Sequence, residues 1–217
     1  MRLRYSVDIF IERCWRDMPR VIGLTGNIAC GKTFVGHTLL ELGAERYIDA
    51  DAVVHHLYEA GQPIALKVGE GFGSGMLAED GSVNRKALGN IVFQDADKMR
   101  QLERIVHPAV GVALRQELAT ASDHGIIVID AVKLLEGESG LLCQSKWLVI
   151  CSEEQEMARL AQRDGLDREA VLARLRAQPD ITQKRSLVDE VIDNSDSREE
   201  TRCQVSAAFE RFLKKFI

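Results

Sequence analysis

Gly26-Asn27-Ile28-Ala29-Cys30-Gly31-Lys32-Thr33 fits the pattern G-x-x-x-x-G-K-S/T, and its reading decides the fold. Upstream, Val21 to Thr25 (VIGLT) is a short apolar run that reads as a strand. Downstream, Lys32 to Leu42 carries Val35, Leu39 and Leu42 at helical spacing, and Gly43 ends the run. Strand, glycine-bounded loop, helix is the setting in which this pattern holds phosphate. Glycines at both ends let the backbone wrap closely, so that successive N–H groups face phosphate oxygens while the following helix adds its positive amino end. Lys32 can then reach the β- and γ-phosphates, and the Thr33 hydroxyl can ligate Mg²⁺. A glycine turn that merely joins a strand to a helix is the bland alternative, and the matching flanks argue against it. The loop implies a bound nucleoside triphosphate without saying what the terminal phosphate is used for.

Further strands follow outward from the loop. Ala44 to Ile48 runs into Asp49-Ala50-Asp51, and a helical stretch from Ala52 stops at Gly61. Ile126 to Ile129 is wholly apolar and β-branched and ends at Asp130; Lys146 to Cys151 and Val188 to Ile192 read as two more strands. Continuous apolar strands separated by helices indicate a parallel sheet buried on both faces. The expected class is therefore α/β, a P-loop NTPase-type parallel sheet of about five strands flanked by helices. Residues 52–125 read mostly helical, with Met99, Leu102, Ile105 and Val106 at helical spacing, and are too long for a simple crossover. They are expected to form an insertion at the carboxyl edge of the sheet, where open α/β folds bind ligands. A second insertion, 153–185, carries Arg159, Arg163, Arg168, Arg174, Arg176, Lys184 and Arg185 and reads as a helical lid. The core of a single domain over 20–217 is then about 20–51, 126–152 and 186–217, preceded by an extension over 1–19 in which Met18 is a candidate alternative start.

Bulk properties narrow the class. The chain has 217 residues, is 46% apolar and 28% charged, and carries a formal charge of -5. An acidic chain argues against a nucleic-acid partner, and no stretch approaches the roughly 18 apolar residues of a membrane helix. The five cysteines Cys14, Cys30, Cys143, Cys151 and Cys203 are scattered, with no C-x-x-C pair, which fits free thiols in a reducing cytoplasm.

A kinase needs a carboxylate to orient and deprotonate its acceptor hydroxyl. Asp49 and Asp51, two apart in an extended chain, would point the same way and share a site; one of them capping the following helix is the competing reading, and both can hold together. Asp130, closing IIVID, has the placement of a carboxylate that holds Mg²⁺ or its waters opposite the phosphate loop. The lid arginines suit a transferring phosphoryl group, although most of them are expected on a solvated helix face.

Gly23-Leu24-Thr25-Gly26 entering the loop, then Ile48-Asp49-Ala50-Asp51, resembles the dephospho-CoA kinase family. The likeness continues through Gly61, Pro63, Phe72-Gly73, Asp80-Gly81, Arg85, Leu88, Val92-Phe93 and His107-Pro108, and then Gln162-Arg163-Asp164, Gln178, Lys184 and Asp189 to Asn194. The resemblance implies ATP-dependent phosphorylation of the ribose 3′-hydroxyl of dephospho-CoA, with ATP and Mg²⁺ required and residues 52–125 on the CoA side. It implies Asp51 as general base, Lys32 and Arg163 on the migrating phosphoryl group, and Thr33 as Mg²⁺ ligand. Asp49, Arg85, His107 and Asp130 would lie on the substrate side, and Asn194 near adenine. His107 before Pro108 also fits a mere helix break. The implied partners are small molecules, with no nucleic acid and no membrane, for a monomer or weak homo-oligomer. Alternatives are another P-loop small-metabolite or nucleotide kinase, or a nucleotide-dependent switch that transfers nothing. The chain departs from the family pattern at Asn27, where left-handed tolerance is the expected virtue, at Cys30, where serine is common, and at Val132 and Lys133.

Overall fold

A computed structural model describes residues 19–165, 167–176, 178 and 181–217. The extension expected over 1–19 lies outside these residues apart from Pro19. The chain divides into two compact units, one running to Ile48 and again over Leu118–Ile217, the other Asp49–Glu117. The last helix of the second unit, Ala96–Ala119, runs two residues past that unit's end.

The first unit holds β1 (Arg20–Thr25), α1 (Lys32–Glu41), β2 (Arg46–Asp49), β3 (Ile126–Asp130) and β4 (Ser145–Ile150). It continues with α6 (Glu153–Asp164), α7 (Arg168–Arg176), α8 (Ile181–Arg185), β5 (Glu190–Asp193) and α9 (Arg198–Lys214), numbering the four intervening helices of the second unit α2 to α5. The five strands lie in the order β2-β3-β1-β4-β5, and β1 pairs in parallel with both β3 and β4, as β4 does with β5. In β1 and β3 every residue after the first is buried, as unbroken apolar runs between two helical layers should be. The register sets Leu24 beside Asp130, so the acidic end of β3 lies next to the strand that leads into the glycine loop.

Ile22, Leu24, Val35, Leu39, Val128, Trp147, Val149, Ile192, Val205 and Phe212 form the core, each at or below 1% exposure. Each such side chain contributes about 1.5–3 kcal/mol on leaving water. The Trp147 indole N–H meets the Ser145 hydroxyl at 2.9 Å, so this buried donor is satisfied. Packing of α9 on α1 closes one face of the sheet. The helix α9 opens with a capping box in which Ser197 and Glu200 satisfy each other's backbone N–H groups.

The second unit contains α2 (Ala50–Leu57), α3 (Pro63–Phe72), α4 (Arg85–Val92) and most of α5 (Ala96–Ala119). Pro63 sits in the first turn of α3, where a missing N–H costs nothing, and Asn84 caps α4 by accepting from Ala87 N at 3.1 Å. Ile64, Ala65, Val68, Leu88 and Leu114 are among its buried residues. No break occurs at His107-Pro108: α5 runs straight through Pro108.

Candidate active site

The loop is built by two glycines that nothing else could replace. At Gly26 (φ 152°) a Cβ would lie 2.3 Å from the Val149 carbonyl oxygen, and at Gly31 (φ 101°) it would lie 2.0 Å from Asn194 Nδ2. Ala29 is also left-handed, at φ 61°, while Asn27 is not among the positive-φ residues. The tolerance expected of Asn27 is thus exercised at Ala29. Alternating hand turns successive amides to one side and makes a concave nest for an anion. Gly31 caps α1 without a side chain, so no side-chain acceptor competes for the first-turn N–H groups. Lys32 folds over the loop, its Nζ donating to the Gly26 and Asn27 carbonyls at 3.3 Å each.

Asn194 and Arg159 hold the loop by its carbonyl groups. Asn194 is 4% exposed; its Nδ2 donates to the Cys30 carbonyl at 2.9 Å and its Oδ1 accepts from the Thr201 hydroxyl at 3.0 Å. Arg159 of α6 donates through Nη1 to the Ala29 and Cys30 carbonyls at 3.4 and 3.3 Å, and through Nη2 to the Asn194 carbonyl at 3.2 Å. Cys30 is fully buried, and burial pushes its thiol up to about 12, so it packs rather than reacts. This departure from serine leaves the backbone cradle intact.

Toward β3, Asp130 is 7% exposed and its Oδ2 accepts from the Tyr47 hydroxyl at 2.6 Å. Thr33 is exposed in the first turn of α1. A hydroxyl and a carboxylate are hard oxygen donors of the kind Mg²⁺ takes. Among the described residues no group of three or more His, Cys, Asp or Glu is arranged to hold a metal. Such a donor set fits an ion that keeps most of its shell on phosphate and water, as Mg²⁺ does. On the same edge, the Thr25 hydroxyl and Lys184 Nζ both donate to the Val132 carbonyl, at 3.0 and 3.3 Å.

Beside the loop, within the first unit, lies a cavity of about 400 Å³ lined by Asn27, Cys151, Glu156, Leu175, Arg176 and Ile181 among others. Asn27 Oδ1 is buried with no hydrogen-bond partner. Glu156 is 9% exposed, and its carboxyl is raised to about 7, first by burial and then by Glu153, against the pull of Lys32 and Arg159. The Ile28 N–H, one of the loop donors, is met by Gln178 Oε1 at 3.3 Å.

Arg163 stands apart from these groups. It pairs on the surface with Asp164, Nε to Oδ1 at 2.8 Å, and the arginine of α6 that reaches the loop is Arg159, one turn earlier. Sequence reasoning counted Arg159 only among the basic residues of the lid, and it passed over Glu156 because a lone glutamate amid Glu153 and Glu154 reads as surface charge. The other expected substrate-side residues belong to the second unit. Asp49 Oδ1 accepts from the Asp51 and Ala52 N–H groups at 2.9 and 3.2 Å, which turns the chain into α2. The two aspartates therefore do not lie along one extended strand: Asp49 caps, and Asp51 projects from the first helical turn. Arg85, exposed, begins α4, and His107 is half-buried in α5.

Comparison with known proteins converges on one enzyme. A family model described as dephospho-CoA kinase matches residues 20–200. The dephospho-CoA kinase of Symbiobacterium thermophilum is 42% identical over 192 residues, 88% of this chain and 80% of the relative. Protein TT1252 from Thermus thermophilus, a crystal structure, superposes with a TM-score of 0.76 at 30% identity, covering 90% of this chain and 98% of its own. Dephospho-CoA kinase from Campylobacter jejuni superposes with a TM-score of 0.52 at 26% identity, covering 89% and 97%.

Proposed function

Because the chain belongs to the dephospho-CoA kinase family, we infer that it transfers the terminal phosphoryl group of ATP to the ribose 3′-hydroxyl of dephospho-CoA, giving CoA and ADP. The observation that carries this is the family match from β1 to the start of α9, with a geometrically complete phosphate loop at its head. Coenzyme A synthesis ends with this step, and the chain acts in the cytoplasm.

Each residue contributes through its own chemistry. Amides of the loop and the amino end of α1 hold the phosphate tail, and Lys32 exchanges the Gly26 and Asn27 carbonyls for phosphate oxygens. Thr33, with Asp130 at the end of β3, would hold Mg²⁺, whose charge would offset that of the phosphates. Asn194 serves ATP binding indirectly, by fixing the Cys30 carbonyl and hence the loop, on the side where adenine is expected. Arg163 joins the phosphoryl group by giving up Asp164. Asp51 accepts the proton of the attacking hydroxyl while Asp49, its helix cap, keeps it in place. Arg85 and His107 meet dephospho-CoA.

Incubating the full chain with MgATP and dephospho-CoA and quantifying CoA tests the reaction; folded protein that forms no CoA refutes it. Asp51→Asn is expected to keep ATP affinity and lose about 100-fold or more in kcat, the usual contribution of a general base. A rate within a few-fold of wild type would remove Asp51 from that role.

A further inference from the structure

Lys184, on α8, is 5% exposed. An ammonium has three N–H donors and needs acceptors or an opposite charge to be buried at tolerable cost. Among the described residues its one hydrogen bond is to the Val132 carbonyl at 3.3 Å, and that oxygen already accepts from Thr25. Among the described residues Lys184 forms no ion pair. Burial lowers its pKa, Glu136 opposes this through space, and Lys32, Cys30 and Lys133 are the other groups that act on it. A second cation, Lys32, belongs to the loop that starts at Gly26, directly after the Thr25 whose hydroxyl shares the Val132 carbonyl with this buried, under-bonded ammonium.

Two readings compete for such a residue. As a strut, Lys184 would tie α8 to the end of β3, but one shared carbonyl is a poor return for burying a charge, and a neutral side chain would pack there more cheaply. As a ligand for an anion, its position makes sense. Val132 follows Asp130 by two residues at the edge where β3 and β1 lie side by side and β1 enters the loop. In an acidic chain, Lys32 on the loop and Lys184 at the end of β3 both serve that edge, and a polyphosphate would neutralise both.

We propose that Lys184 is a second phosphate-binding lysine of this enzyme, its ammonium contacting the terminal phosphoryl group of ATP together with Lys32 during transfer. The proposal rests on the reaction inferred above. Transition-state charge spreads over the equatorial oxygens of the moving phosphoryl group, so an extra cation there acts chiefly on kcat.

The test is Lys184→Met, close in length and without charge, assayed for turnover and for thermal unfolding with and without MgATP. Expected are a fall in kcat of about 100-fold, a KM for dephospho-CoA within about threefold of wild type, an unliganded Tm no lower than wild type, and a smaller Tm increment from MgATP. Lys184→Arg, which restores charge in a different shape, should recover part of the lost kcat. A methionine variant with wild-type kcat overturns the assignment. So does one that unfolds or melts well below wild type, since then the lysine is a strut. If wild type itself makes no CoA, the reaction reading fails alone, and the MgATP increment still decides whether Lys184 binds phosphate.

Discussion

At Glu156 burial and charge pull in opposite directions. Its carboxyl sits at about 7 in the folded chain against an ordinary value of 4.5, so between those pH values the folded state holds a proton that the unfolded state has released. The destabilisation this causes is absent below about pH 4.5, grows as pH rises, and is complete above about pH 7. Glu156→Gln keeps the shape and removes the ionisation. It should raise Tm at pH 8, by a stabilisation on the order of 1 kcal/mol, and change little near pH 4.5. Thermal melts of both proteins across this range check it, and a glutamine variant less stable at pH 8 would sink it. This carboxylate was not legible in the sequence, because its burial comes from the fold. Arg159 shares that fate: only the structure shows which of the two arginines on α6 meets the loop carbonyls. Lys32 and the two loop glycines were legible, because a tight backbone cradle permits few residues at those positions.

Elements were read more securely than individual contacts. All five strands occur within two residues of their expected ends, and the central β3, β1 and β4 leave the most continuous apolar signal because they are the most buried. A helix end followed where a stop was visible, as with Gly43 after α1. Pro108 misled, since it sits inside a 24-residue helix whose remaining hydrogen bonds carry it through. Asp49 and Asp51 do not lie along one strand, whereas the competing reading, an aspartate capping the next helix, holds for Asp49. Capping at the other end of the first unit offers a clean measure of element-level energetics. Ser197 accepts from Glu200 N at 3.2 Å and leads a 17-residue helix that carries Val205, Ala208 and Phe212 into the core. Ser197→Ala removes that acceptor and should cost about 1 kcal/mol in a urea titration, with no change in kcat. A loss below about 0.3 kcal/mol would mean that packing alone sets where α9 begins.

For the whole molecule, the sequence tells which unit must respond to nucleotide. Every loop residue from Gly26 to Thr33, together with Lys184, Glu156, Arg159 and Asn194, belongs to the first unit, whose core includes the fully buried Trp147. A ligand that binds only the folded state raises stability by RT ln(1 + [L]/Kd), about 2.7 kcal/mol at a hundred times Kd. In a chain of this size each kcal/mol moves Tm by roughly 2–4 °C, so saturating MgATP should raise the melting point by about 5–10 °C. Trp147 reports this if the other tryptophan is removed, so the experiment uses Trp15→Phe and follows fluorescence during heating. Lys32→Ala in the same background should lose most of the increment while its unliganded melt stays close to its parent, because among the described residues Lys32 bonds to two loop carbonyls. The same increment in both proteins would mean that ATP stabilises the chain from somewhere other than the loop. No increment in the parent would mean that the cradle formed by Gly26, Ala29 and Gly31 does not hold a nucleotide at all.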